Sequence, residues 1–210
     1  MLASCLCVSG KEINKMLDTV QLNPPEVIHE IEEATKTIGF TMGSDLLTGS
    51  LLRMLVTSKP SGSILELGTG TGLATAWLLD GMNAQSSLVT VDRNEDNVAI
   101  ARKFLGEDSR VTFHMEDGSS FIQSAFKEGR TFDLIFADMP PGKYQFLEET
   151  LHLLKAGGVY VIDDMLLQTS WDEEHVKKVY RLIAALERRK DLRITKLNWS
   201  SGIIIAAKTS

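Results

Sequence analysis

The chain has 210 residues, with 22 Lys and Arg against 28 Asp and Glu, a net charge of −6. That length fits one domain with a proper core and no need of disulfide staples. The acidic balance argues against binding nucleic acid by bulk charge and against docking on an anionic membrane, and no apolar run approaches the ~20 residues that cross a bilayer.

Residues 1–22 are weakly patterned. Cys5 and Cys7, the two cysteines, lie one residue apart. That spacing suits a disulfide poorly, and no His stands nearby to complete a zinc site. They read as reduced thiols in a frayed terminus of a cytoplasmic protein. Asn23-Pro24-Pro25 then predicts a helix start, with acidic residues following and a stop near Gly39. Ser44-Asp45 opens a second helix, with Leu47, Leu51, Leu52 and Leu55 at helical spacing and Pro60 beyond its end; Met54 and Leu55 read as core. These two helices have no strand partner and would form a cap over a domain spanning residues 23–210.

From residue 63 the pattern alternates. Strands are predicted at 63–67, 87–92, 110–115, 132–137 and 158–162, and helices at 72–81, 95–105, 119–127, 144–154 and 172–188. Two more strands, 192–198 and 202–207, are separated by Ser200, Ser201 and Gly202 and should form an antiparallel hairpin. The expected fold is α/β, a Rossmann-like doubly wound sheet, mostly parallel, closed by that hairpin.

Ligands of such sheets bind beyond the carboxyl ends of the strands. Each of the five parallel strands ends on or near an acid: Glu66, Asp92, Asp117, Asp138, then Asp163 and Asp164. One such acid is commonly a turn-former or helix cap, but the set implies a demand for cations. The first turn, Glu66-Leu67-Gly68-Thr69-Gly70-Thr71-Gly72-Leu73, would let a ligand lie close to the backbone. It is not the dinucleotide pattern G-x-G-x-x-G, because Leu73 stands where the last glycine would be.

Glu66–Gly72 resembles the first motif of class I S-adenosylmethionine-dependent methyltransferases. Thr90-Val91-Asp92-Arg93 resembles their ribose-binding acid, and Glu116-Asp117-Gly118 the segment that meets adenine. Phe132–Asp138 with Tyr144, followed by Leu154–Gly158 and Ile162-Asp163-Asp164, resembles the cation-dependent O-methyltransferases, the group of catechol and caffeoyl-CoA O-methyltransferases. The likeness covers about residues 40–208. It implies S-adenosylmethionine as donor and a small hydroxylated, catechol-like acceptor, in a protein that is often a homodimer. Donor contacts would come from Met42, Gly43, Ser44, Glu66, Gly68, Gly70, Gly72, Asp92, Asp117, Gly118 and Asp138. Glu66 would hold the donor's amino group or organise the turn. The resemblance places a divalent cation on Asp138, Asp163 and Asp164; carboxylates suit Mg²⁺, Mn²⁺ or Ca²⁺.

Two departures stand out. The lysine that serves the family as general base should lie at position 141, which is Pro141; Lys143 reaches back only if Pro140-Pro141-Gly142 reshapes the loop, and is otherwise a solvated loop lysine. The segment after Asp164 runs almost directly into the next helix, leaving Met165 and Trp171 as pocket candidates or packing residues. Competing readings are an amine- or nucleic-acid-directed methyltransferase, suggested by Pro140-Pro141 near Asp138, a catalytically silent cofactor-binding module, and a nicotinamide oxidoreductase. The four histidines, His29, His114, His152 and His175, read as structural, with His114 in a buried strand.

Overall fold

The computed structural model describes residues 22–169 and 171–209; Cys5, Cys7 and almost all of the weakly patterned N-terminal segment lie outside them. The helices are α1 (Ile28–Thr37), α2 (Leu46–Thr57), α3 (Leu73–Gly81), α4 (Glu95–Leu105), α5 (Gly118–Lys127), α6 (Leu147–His152) and α7 (Glu173–Glu187). The strands are β1 (Ser63–Leu67), β2 (Ser87–Asp92), β3 (Val111–Met115), β4 (Phe132–Ala137), β5 (Leu154–Ile162), β6 (Leu192–Leu197) and β7 (Ile203–Lys208). They form one sheet of order β3-β2-β1-β4-β5-β7-β6, in which β7 runs antiparallel to both β5 and β6. The expected doubly wound architecture and terminal hairpin are present.

Strand alternation sends side chains to two apolar layers. Ile64, Leu88, Leu134, Phe136 and Val161 pack with α1, α2 and α3 on one face. Leu65, Val91, Ile135 and Ile162 pack with α5, α6 and α7 on the other. Helix α3 is buried over Ala74–Leu79 because α2 covers its outer side. Gly49 permits this: a Cβ there would fall 2.2 Å from the Trp77 indole. The N-terminal cap is thus a packed layer. Met54 points away from it and is 55% exposed, so the core expectation holds for partly buried Leu55 but not for Met54.

Element boundaries differ in three places. Pro24 and Pro25 precede α1, which begins at Ile28. The helix expected over 144–154 is only Leu147–His152, because Phe146 adopts a left-handed φ of 56° and the chain before it is a tight turn. Strand β5 starts earlier, at Leu154, with a register shift against β4 between Phe132 and Leu134. His114 sits on edge strand β3, half-buried and facing Glu116 at 3.1 Å, not in a buried strand. Strand order reverses between β1 and β4, and the loops after these two strands border the resulting crevice.

Candidate active site

Glu66, one of the predicted donor residues, centres a polar network under the glycine turn. Thr75 of α3 and Thr90 of β2 each donate a hydroxyl hydrogen bond of 2.6 Å to Oε2 of Glu66. Thr90 therefore accepts from Thr69, 2.6 Å away. Glu66 is fully buried, and its Oε1 has no partner among the described residues. Burial pushes its carboxyl up to about 8 against the pull of the two threonines. The two threonine bonds hold Glu66 fully buried under the turn.

The turn itself follows from backbone bonding. Gly68 and Thr69 donate to the Val91 carbonyl, Gly72 to that of Thr69, and Gly70 to Oδ2 of Asp92 at 2.9 Å. Gly68 has φ 107°, and a Cβ there would lie 2.9 Å from the carbonyl oxygen of Asp138. The turn after β1 and the loop after β4 therefore meet back to back, with room for glycine only. Thr35 of α1 donates to Thr71 at 2.8 Å, tying the cap to the same turn. Asp92 also accepts from Asn94, and Asp117 caps α5 by accepting from Ser119 and Ser120. Gly118 abuts Met139, whose Sδ would lie 2.8 Å from an added Cβ.

The loop after β4 centres on Lys143. Pro140 and Pro141 lead into Gly142 at φ 90°, whose missing Cβ would otherwise strike Leu67 at 2.6 Å. Gly142 donates to the Gln145 carbonyl, and its own carbonyl accepts from the buried Tyr160 hydroxyl. This clamped turn sends Lys143 back towards Asp138. Its Nζ stands 3.2 Å from Asp138 Oδ1 and 3.6 Å from Asp164 Oδ2, and the residue is only 4% exposed. The solvated-lysine reading is thereby overturned. Desolvation disfavours the ammonium, but Asp138, Asp164 and Asp163 outweigh it and hold the proton more tightly than usual. Burial, reinforced by Asp163 and Asp164, pushes Asp138 up to about 7 despite Lys143.

Asp138 also accepts from Ser44 at 3.3 Å, so the predicted segment 42–44 does reach the site through its serine, while Met42 is 77% exposed. Asp163 accepts from the Ser201 hydroxyl and from the backbone N–H of Asp164, and burial raises its pKa. Ser200 donates to Asp45, the cap of α2, and accepts from Thr48. Ser44, Ser200 and Ser201 thus link the cap and the β6–β7 turn to the acids. The two hairpin-turn serines carried no chemical signal in the sequence; only the short turn marked their position.

By chemistry the three aspartates suit a hard divalent cation, but their arrangement does not. Lys143 stands on Asp138 and Asp164, and Asp163 is turned to Ser201. Among the described residues no group of three or more His, Cys, Asp or Glu side chains is placed to hold a metal. In this arrangement Asp138 and Asp164 flank the Lys143 ammonium, with Asp163 beside them.

The profile of the O-methyltransferase family matches residues 19–209. A protein of Mycobacterium sp. (strain KMS) named as an O-methyltransferase is 27% identical over 192 residues, covering 85% of this chain and 86% of its own length. Among solved structures, the O-methyltransferase TomG of Streptomyces achromogenes, determined with S-adenosylmethionine and involved in tomaymycin synthesis, superposes with TM-score 0.81 at 21% identity over 95% of this chain and 96% of TomG. A Staphylococcus aureus protein named as a caffeoyl-CoA O-methyltransferase superposes with TM-score 0.77 at 21% identity, over 94% of this chain and 99% of that one. These two likenesses establish the fold, and the profile match establishes the lineage. The chain belongs to the O-methyltransferase family.

Proposed function

We propose that the enzyme methylates a hydroxyl of a small, catechol-like aromatic acceptor held at Asp138. The observation that carries this is the back-to-back contact of Gly68 with Asp138, which puts the donor turn and a buried, ion-paired acid on one wall. In this reading Gly68, Gly70 and Gly72 let the donor lie along the backbone, and Asp92 receives the ribose hydroxyls. Asp117 and Gly118 flank the adenine. Met42, Gly43 and Ser44 close the site from the cap side.

The acceptor oxygen attacks the methyl carbon; the O–CH₃ bond forms as the S–CH₃ bond breaks, and the sulfonium becomes a neutral thioether. The hydroxyl proton passes to Asp138, whose burial raises its affinity for one. Lys143 keeps Asp138 oriented and faces the oxygen as negative charge develops. Three carboxylates facing one ammonium leave surplus negative charge, which a sulfonium donor would offset.

That same surplus is the one observation favouring assistance by a divalent cation, which would have to displace Lys143 from Asp138 and Asp164. Turnover of vicinal-diol aromatics, read as methylated product by mass, is expected to survive exhaustive chelation. Loss on chelation with recovery on adding Mg²⁺ would establish the cation instead, and no methylated phenol from any diol would overturn the O-methyl reading. The proposal treats residues 23–210 as one unit that acts in the cytoplasm as a homodimer, without a nucleic-acid or membrane partner. Light scattering on the eluting protein checks the dimer. No helix among the described residues is long and apolar enough to cross a membrane.

A further inference from the structure

A cavity of about 420 Å³ lies between the Lys143-Tyr144 turn and helix α7. Its charged lining is cationic throughout: Lys143, Lys178 and Arg181, with no carboxylate, in a chain where acids outnumber bases. Lys178 has no carboxylate within 4.0 Å among the described residues, and Arg181 meets only the exposed Glu174 at 3.7 Å. Such an exposed pair is weak and leaves the guanidinium available. Tyr144 and His175 also line the cavity, their rings at 5.5 Å in an edge-to-face arrangement. His175 Nε2 is buried with no hydrogen-bond partner among the described residues. Lys143 joins this cavity to the reacting centre, since the same side chain that lines it stands 3.2 Å from Asp138.

We propose that this cavity binds a carboxylate carried by the acceptor, so that the natural substrate is a small hydroxylated aromatic acid. This rests on the O-methyl reading above and adds the charge of the acceptor to it. The volume accommodates a single ring with one short acidic substituent. Lys178 and Arg181, three positions apart on α7, lie on one helix face and can share one carboxylate. Tyr144 and His175 supply an aromatic wall, and Nε2 a further polar group.

The test compares 3,4-dihydroxybenzoate with its uncharged methyl ester. The acid should be preferred in kcat/KM by about tenfold. K178Q/R181Q should bring that preference to near unity. K177Q, which removes one charge from the same helix at a residue facing Glu173, should keep it. Equal use of acid and ester by the unaltered enzyme, or a preference that survives K178Q/R181Q, overturns the proposal.

Calorimetric titration of the acid into the protein saturated with S-adenosylhomocysteine separates this from the parent reading. Binding of the acid that K178Q/R181Q abolishes, with neither compound methylated, supports the cavity assignment and counts against catechol methylation. Neither binding nor methylation of the acid overturns the cavity assignment itself.

Discussion

On the β1–β2 side of the crevice, most side-chain hydrogen bonds join groups no more than one strand-turn unit apart. Glu66, Thr69, Gly70, Thr75, Thr90 and Asp92 bond one another across at most 24 positions. On the β4–β5 side local partners such as Lys143 are joined by distant ones: Ser44 reaches Asp138 across 94 positions and Ser201 reaches Asp163 across 38. The first region is a rigid seat assembled by two consecutive strand-turn units. The second is a meeting point of the N-terminal cap, the Pro-Pro-Gly turn and the β6–β7 hairpin.

If the two regions are separable, the largest effect should come from Lys143→Ala. Turnover at saturating acceptor should fall by about 100-fold or more. Affinity for S-adenosylmethionine should hold or rise, because the cluster becomes more negative and the donor is a cation. Affinity for the neutral S-adenosylhomocysteine should stay put. Calorimetry with both ligands reads this directly; unchanged turnover would remove Lys143 from the reaction, and equal loss of both ligands would show that the regions are one.

Asp92→Asn is the converse break. It should weaken donor binding by about tenfold, through a charge-assisted hydrogen bond lost to the ribose and a weaker hold on Gly70. The acceptor KM should not move. A smaller effect is expected from Ser201→Ala, which frees Asp163 from its hydroxyl partner. One hydrogen bond is worth about 1 kcal/mol, so kcat/KM for the acceptor should fall by roughly fivefold with donor affinity intact.

The same contrast explains what could be read from the sequence. Every strand but β5 matches its expected bounds within a residue, because each is a short apolar or alternating run between turn-formers. The seat was legible because its glycines and acids are contiguous or one strand-turn unit apart. Lys143 was ambiguous because its position depends on φ at Gly142 and on a bond from Tyr160, neither of which has a local signature. Ser201 was invisible as a functional residue because hairpin turns are rich in serine for conformational reasons alone. The full burial of Glu66 has no signature in the sequence, since strand periodicity gives the face and not the depth.

Glu66 sharpens the comparison most finely, because it tests the seat through stability alone. Its carboxyl ionises at about 8 in the folded protein against 4.5 for an unperturbed glutamate. Between those values the folded chain keeps a proton that the unfolded chain has released. Stability must therefore fall as pH rises through that window and level off outside it. Glu66→Gln keeps the shape, and its amide oxygen can still accept from Thr75 and Thr90, but nothing titrates. The variant should lose the part of the decline in urea midpoint between pH 5 and pH 8 that Glu66 contributes. An identical decline in variant and parent would mean that the carboxyl is not held neutral. The acceptor acids provide the internal control: Asp138 is also pushed up, to about 7, so the double variant Glu66→Gln with Asp138→Asn should flatten the curve further. If each flattening occurs independently of the other, the buried seat and the reacting acid titrate as separate devices, although Gly68 and Asp138 stand in contact.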